Sequence, residues 1–334
     1  GVSFARAEDS IDLAKESSLK LSAAGIEVSL SGRDGSFKVK DQRSGRHWES
    51  CPPATAYLVT ALSQPSTHEV VLDLVQTTTL QRFRARYMLE GAGELIVTLE
   101  GDGEFGAAFD YPGAITSAVG DRLVLPYAEG IGIPVDEELG WHNGISRRVR
   151  AYGMLSMPIG GVFSDKTGAG WMTILETPDD AALQLSRQGE GCLWTFAPSW
   201  DAQLGKFGYA RKVRYVFFAQ GGHVAMAKRY RTHAKAEGLL KTFIEKRKER
   251  PDIDRLIGAV NVWCWEDPVK TVAALQAAGI RRILWSGGGS AAAITDLAKN
   301  PDVLAGRYDV YQDVYHPDLM AKIGKPGEKG VNGE

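Results

Sequence analysis

Short runs in which apolar and polar residues alternate, broken by glycine-rich turns, fill the chain from Leu19 to about Gln220. LKLSAA, GIEVSLSG, SFKVKD and GRHWES come first, and RARYMLE, ELIVTLEG, GWMTILET, CLWTFAPSW and KVRYVFFAQ follow. Alternation with period two sends successive side chains to opposite faces, as in half-buried strands. Leu95, Val97 and Leu99 share one such face. Between SFKVKD and GRHWES lies Asp41-Gln42-Arg43-Ser44-Gly45, where an aspartate can fold back on the turn and a glycine can take positive φ. Gly91-Ala92-Gly93 predicts a second hairpin. The pattern predicts a large antiparallel β-sandwich over residues 1–220. Within it, LVLPYAEGIGIPVDEELGW is rich in proline and glycine and reads as a long ordered loop, a common seat of function.

At Gly221 the period lengthens. GGHVAMAKRYRTHAKAEG places Val224, Ala227, Tyr230 and Ala234 on one helical face, and LLKTFIEKRKERP adds Leu240, Phe243 and Ile244 beside a charge run. Residues 221–254 therefore read as a helical connector. From Ile257 onward apolar runs of strand length alternate with helical patterns: IGAVNVWCW, DPVKTVAALQAAGI, RRILWSGGG, AAAITDLAKNPDVLAG and RYDVYQDVYHP. Such βα units feed a parallel sheet. Residues 255–334 are accordingly expected to form the opening part of a barrel.

Composition narrows the function classes. The chain has 334 residues, 24% of them charged, with a formal net charge of −2. No general attraction to nucleic acid or to an anionic membrane is expected. Acidic residues interleave with the basic run Lys246-Arg247-Lys248-Glu249-Arg250, which reads as a solvated helix face. No apolar run approaches the length of a bilayer span, so no membrane partner is expected. Three scattered cysteines, Cys51, Cys192 and Cys264, suggest neither a disulfide framework nor a zinc site. No HExxH spacing and no GxSxG elbow occurs, and no cofactor or metal is expected. The ending GKPGEKGVNGE has no apolar anchor and reads as loop.

The chemistry gathers where the predicted parallel strands end, the usual place for function in barrels and open α/β sheets. Trp263-Cys264-Trp265 closes the first strand, with Trp263 and Trp265 on one face and Glu266 next. Aromatic faces of this kind suit the C–H face of a sugar ring, while a carboxylate fixes hydroxyls. Equally, two tryptophans can pack a barrel core. Trp285 ends the second strand before Ser286-Gly287-Gly288-Gly289-Ser290. That turn could cradle a phosphate at a helix start, but its spacing matches no nucleotide-binding fingerprint, and Ser290 capping the helix explains it with less. In the expected third strand, Arg307 to Asp313, alternation puts Asp309, Tyr311 and Asp313 on one face. Paired carboxylates serve glycoside hydrolysis, bind hydroxyls or a cation, or act as structural partners.

Four segments carry a resemblance: GGVFSDKTGAGWMTILETPDDA, KVRYVFF, the long connector from GGHVAMAKRYRTHAKAEG through RLIGAVNVW, and RYDVYQDVYHP. In these the chain resembles bacterial glycoside hydrolases whose galactose-mutarotase-like β-sandwich precedes a (β/α)₈ catalytic barrel, the group related to endo-α-N-acetylgalactosaminidases and α-N-acetylgalactosaminidases. The resemblance implies retaining hydrolysis of an α-linked glycan in an oligosaccharide or glycoconjugate, in a secreted or periplasmic setting, with a cytoplasmic one left open. It places both catalytic carboxylates on later barrel strands, so no catalytic residue is carried over. The expected missing partner is the rest of the barrel, from the same natural chain or another. A non-catalytic carbohydrate-binding or scaffolding protein, and a nucleotide-binding α/β protein, stand as alternatives.

Overall fold

The turn at 41–45 shows how alternation becomes sheet. The Asp41 carboxylate accepts the Arg43 backbone N–H at 2.9 Å, Gly45 N–H donates to the Asp41 carbonyl at 2.9 Å, and Gly45 takes φ +70°. Without a Cβ, glycine adopts that left-handed conformation at no steric cost. The turn joins β3 (Phe37–Asp41) to β4 (Arg46–Glu49), extending the meander begun by β1 (Ser18–Ala23) and β2 (Ile26–Ser31).

The computed structural model describes residues 18–51, 57–104, 106–137, 148–151, 153–188, 191–202 and 204–306. Two units separate, Gly1–Glu237 and Gly238–Glu334. The stretch read as a connector, 221–254, falls across that division.

Among the described residues, the first unit is built on a nine-stranded sheet in the order β11 (Ile131–Pro134), β10 (Asp121–Leu125), β13 (Ile159–Ser164), β14 (Gly170–Leu175), β17 (Arg211–Phe218), β8 (Leu95–Gly101), β7 (Arg82–Leu89), β6 (Glu69–Gln76) and β5 (Tyr57–Ser66). Neighbouring strands in it all pair antiparallel. A smaller antiparallel sheet runs β12 (Arg148–Arg150), β15 (Ala181–Gln188), β16 (Leu193–Trp200) and β9 (Phe109–Asp110). Both the meander and the smaller sheet pack on the inner face of the nine strands: Phe37 meets Tyr215, Trp48 stacks on Phe217, and Trp171 meets Phe196. The expected antiparallel sandwich is thus present. One segment differs from expectation. LVLPYAEGIGIPVDEELGW is not a long loop at its start, because β10 and β11 form a hairpin there. As the sheet's edge strand, β11 tolerates Gly132 and Pro134, which an interior strand would not.

Period two explains why the other face of the large sheet also carries cargo. On β17, Val213, Tyr215 and Phe217 point into the sandwich, so Lys212, Arg214 and Val216 point outward. The helix α1 (Gly222–Ala236) lies on that outer face, with Met226 among Ile159, Phe163, Met172, Ile174 and Val216. Its buried residues are Gly222, Met226 and Ala234, whereas Val224 of the expected stripe is 46% exposed. The stripe shifts because the sheet has a hole: a Cβ on Gly161 would sit 2.7 Å from the Met226 methyl.

An ion network pins the same helix. Arg229 grips Glu94 with Nε at 2.5 Å and Nη2 at 2.6 Å; Glu94 also accepts Arg214 Nη1 at 2.8 Å. Arg214 further donates to Glu90 and to Glu176, and Lys212 reaches Glu176 at 2.6 Å. Burial opposes the charged forms of Glu94 and Glu176, but hydrogen bonds and charge from Arg229 and Arg214 on one, and Lys212 and Arg214 on the other, hold both carboxyls below their ordinary values. A depressed folded-state value means the unfolded chain binds protons first as pH falls. The network's contribution is therefore complete above the ordinary glutamate value of 4.5 and is lost as pH drops through the lower folded values. Acid titration followed by the helical circular dichroism signal is expected to show the first unit losing stability below that point, and a flat response from pH 5 to 3 would contradict it.

In the second unit, α2 (Phe243–Glu249) starts with a capping box in which Thr242 and Glu245 bond each other's backbone N–H. A 3-10 turn (Pro251–Leu256) leads to the parallel sheet β18 (Val260–Val262), β19 (Ile283–Trp285), β20 (Val303–Ala305), with α3 (Pro268–Ala277) and α4 (Ala291–Leu297) between the strands. The expected βα alternation is present, but the third strand is earlier than expected. It is Val303–Ala305, and the 307–313 stretch lies outside the described residues. Val272 and Leu297 pack on Ile283, Trp285 and Val303, covering one face of the sheet. On the other, Leu284 and Leu304 face Ile253 and Leu256 across a groove of about 340 Å³. No described helix is long and apolar enough to cross a membrane.

Candidate functional site

Strand β18 ends at Val262, but its chain stays beside its neighbour: Ser286 N–H donates to the Val262 carbonyl and Gly288 N–H to the Cys264 carbonyl, each at 2.9 Å. Extended backbone here keeps Trp263 and Trp265 on one side and the half-buried Cys264 on the other. The two indoles are 55% and 65% exposed, their rings 5.9 Å apart and inclined at 45°. Indoles of that size are rarely left open on a surface without a use, because burying them is strongly favourable.

Glu266 follows, exposed, just ahead of α3. Its neighbour Asp267 is spoken for: the Asp267 carboxylate caps α3 by accepting Lys270 N–H at 3.0 Å, with Pro268 preorganised at the first helical position. The segment thus offers one unengaged carboxylate beside two aromatic faces. That set can stack on a ring and hold a hydroxyl. General acid–base chemistry with two carboxylates is beyond it among the described residues.

Trp285 does not join this surface. It is 0% exposed, packed in the core of the second unit, and its indole N–H donates to the Gly288 carbonyl at 3.0 Å. As the aromatic end of the second strand Trp285 is, from sequence, a substrate-site candidate like Trp263 and Trp265, and that expectation is corrected here: on β19 the face carrying Ile283 and Trp285 is the one that α3 and α4 cover. The glycine turn is likewise accounted for without phosphate. A Cβ on Gly287 would sit 1.9 Å from the Cys264 carbonyl oxygen, and Ser290 accepts Ala293 N–H at 3.2 Å to cap α4. Glycine is needed there for backbone to approach backbone. Asp309, Tyr311 and Asp313 lie outside the described residues.

A second concavity belongs to the first unit. It is a cleft of about 520 Å³ between the β10–β11 hairpin, β13 and α1, floored by Val124, Ile131, Met157, Ile159, Phe163 and Met226 and rimmed by Glu129 and His223. Its size suits a ligand. Its lining is mainly apolar, with Arg122 and Ser156 as further polar members, and none of the expected strand-end residues takes part. Sequence reasoning missed it because the hairpin that forms one wall read as loop. Among the described residues, no three His, Cys, Asp or Glu side chains are grouped to hold a metal ion.

The chain matches no protein-family model and no curated protein. Among solved structures, the α-N-acetylgalactosaminidase NagBb of Bifidobacterium bifidum in its GalNAc complex superposes with a TM-score of 0.73 at 16% identity, over 89% of this chain and 59% of that one. The ligand-free form of the same enzyme gives 0.66 at 18% identity, over 81% and 51%. The chain spans a little over half the length of these neighbours. At such identity the likeness establishes a shared fold. A galactose mutarotase-like protein from Lactobacillus casei superposes at a TM-score of only 0.35, too low to argue from.

Proposed function

We propose that this chain carries a sandwich domain and the opening strands of a (β/α)₈ barrel of a glycoside hydrolase acting on an α-linked glycan, and that Trp263 and Trp265, with Glu266, form part of its sugar site. The observation that carries the reading is the exposed indole pair at the carboxyl end of a parallel strand, where barrels keep their substrates. A pyranose has an apolar C–H face that stacks on an indole and a rim of hydroxyls that a carboxylate accepts. The fold shared with an α-N-acetylgalactosaminidase supports this substrate class. In this reading Asp309, Tyr311 and Asp313 join the site from the segment after β20. Retention, with a carboxylate nucleophile and a separate acid/base, belongs to residues other than those described.

Barrel completion has its own physical support. Parallel sheets are normally covered on both faces, and their edges paired. Here the face of Leu284 and Leu304 is left as a groove, and Val260 on the edge strand β18 is exposed. Further βα units, from the natural chain or from a partner, would cover both. The chain by itself is therefore expected to bind an α-linked oligosaccharide without turning it over. One observation favours a binding role for this part: Asp267 is consumed as a helix cap, so no second free carboxylate stands beside Glu266 among the described residues.

The test is calorimetry with α-N-acetylgalactosaminyl oligosaccharides, with ATP as a parallel titrant. Trp265→Ala is expected to weaken glycan binding by about 1–3 kcal/mol, by analogy with the loss of an aromatic platform under a stacked nucleobase. Unchanged affinity in that variant, or binding of the nucleotide alone, would sink the proposal.

A further inference from the structure

We infer that Gly288 and Trp285 are positioning residues for Trp265: the bare Gly288 backbone is the seat against which the indole rests, and the buried Trp285 locks that seat. The inference rests on the sugar-site reading for its purpose but on geometry for its substance. A Cβ built on Gly288 would lie 2.9 Å from Trp265 Cδ1 and 3.5 Å from both Cγ and Nε1, so the five-membered ring already fills the space a side chain would take. Gly288 has no positive φ to demand glycine. The close ring contact is what excludes other residues there. The Gly288 backbone is fixed on both sides of its Cα. Its N–H donates to the Cys264 carbonyl at 2.9 Å, next to Trp265 in sequence, and its carbonyl accepts the Trp285 indole N–H at 3.0 Å. Even so seated, Trp265 remains 65% exposed.

This gives a task to two features that otherwise have none. The indole N–H of a buried tryptophan usually finds a partner, and any nearby carbonyl would serve, whereas those of Trp48 and Trp171 find none among the described residues. Trp285 spends that hydrogen bond on the Gly288 backbone under the exposed indole. The middle glycine of Ser286-Gly287-Gly288-Gly289-Ser290 is explained neither by a cap nor by a turn. A rigid stacking platform loses less freedom on binding than a mobile one, and sites whose side chains are held within about 0.5 Å perform best.

The indole pair supplies its own readout. Two indoles 5.9 Å apart at 45° couple excitonically and give a far-ultraviolet circular dichroism couplet; its loss in Trp263→Phe assigns it. Gly288→Ala is expected to change the couplet's amplitude in the full chain without any ligand, and to weaken oligosaccharide binding about five-fold. Trp285→Phe, which keeps a ring in the core but deletes the N–H, is expected to shift the couplet the same way. In a Trp265→Phe background, where the smaller ring leaves room for a Cβ, Gly288→Ala is expected to cost no further affinity, the non-additivity that marks contacting residues. An unaltered couplet in both Gly288→Ala and Trp285→Phe, or the same loss of affinity with and without Trp265, would overturn the inference. If the parent chain binds no glycan, the sugar-site reading falls, and the couplet still decides whether Gly288 and Trp285 seat the indole.

Discussion

Replacing Gly287 with alanine is expected to undo the second unit while the first stays folded. The added Cβ would meet the Cys264 carbonyl oxygen at 1.9 Å and the Cys264 carbonyl carbon and nitrogen at 2.9 Å, where ordinary contacts begin near 3.4 Å. All three are backbone atoms, so no side-chain rotation relieves the clash. The chain segments must move apart, and the Ser286–Val262 and Gly288–Cys264 hydrogen bonds that flank the clash are lost with them. Overpacking at a site that can relax costs about 1–3 kcal/mol, and a backbone clash belongs at or above the top of that range. A sheet with three strands and one covered face among the described residues has little stability in reserve. Hydrogen exchange at Ser286 and Gly288 measures the effect directly: both amides should exchange as an unfolded chain does. Gly91→Ala is the control, since a Cβ there meets nothing within 4 Å. Full protection of Ser286 and Gly288 in Gly287→Ala would show the packing to be looser than described.

Arg214→Met is expected to be the most damaging single change in the first unit's surface-facing layer. Arg214 serves Glu90, Glu94 and Glu176, and its side chain is only 12% exposed. Methionine keeps the length of the stem but strands the carboxylates, and removing one partner of a nearly buried ion pair costs about 3 kcal/mol. Arg229 still holds Glu94 and Lys212 still holds Glu176, so the loss falls short of all three pairings. Denaturant titration checks the magnitude. A further consequence separates this account from simple loss of packing. With Arg214 gone, Glu94 and Glu176 lose part of what depresses their carboxyls, so the acid transition should move to higher pH. A variant destabilised by less than about 0.5 kcal/mol, the usual scatter of surface substitutions, would make the network ornamental.

Much of the fold was legible because it is local. The hairpin at 41–45 follows from Asp41 and Gly45, and the change of period at Gly221 marks α1. The β10–β11 hairpin was hidden by Pro126 and Gly130 in its turn and by Gly132 and Pro134 in β11, the last two tolerable because β11 is an edge. Strand β20 was hidden because Leu304 stands at helical spacing, seven residues, from Leu297. Alternation also gives sides of a strand without saying which side is covered, so Trp285 read as a site residue until α3 and α4 were seen to bury it. Trp263 and Trp265 were legible as a pair because period two puts them on one face, but that this face is exposed came only with the structure. Nothing in the sequence could have joined Glu94, Glu176, Arg214 and Arg229, whose separations reach 135 residues. Such contacts exist only once the sheet and α1 have come together.

The sugar-platform claim is tested most directly by labelling the chain with 5-fluorotryptophan and following its fluorine resonances as an α-N-acetylgalactosaminyl oligosaccharide is added. Eight tryptophans give eight signals, assigned by single Trp→Phe substitutions. The account predicts that the Trp263 and Trp265 signals move in a saturable manner, while those of the buried Trp48, Trp171, Trp200 and Trp285 stay in place. Saturable movement of other signals with Trp263 and Trp265 silent, or no movement at all, would contradict it.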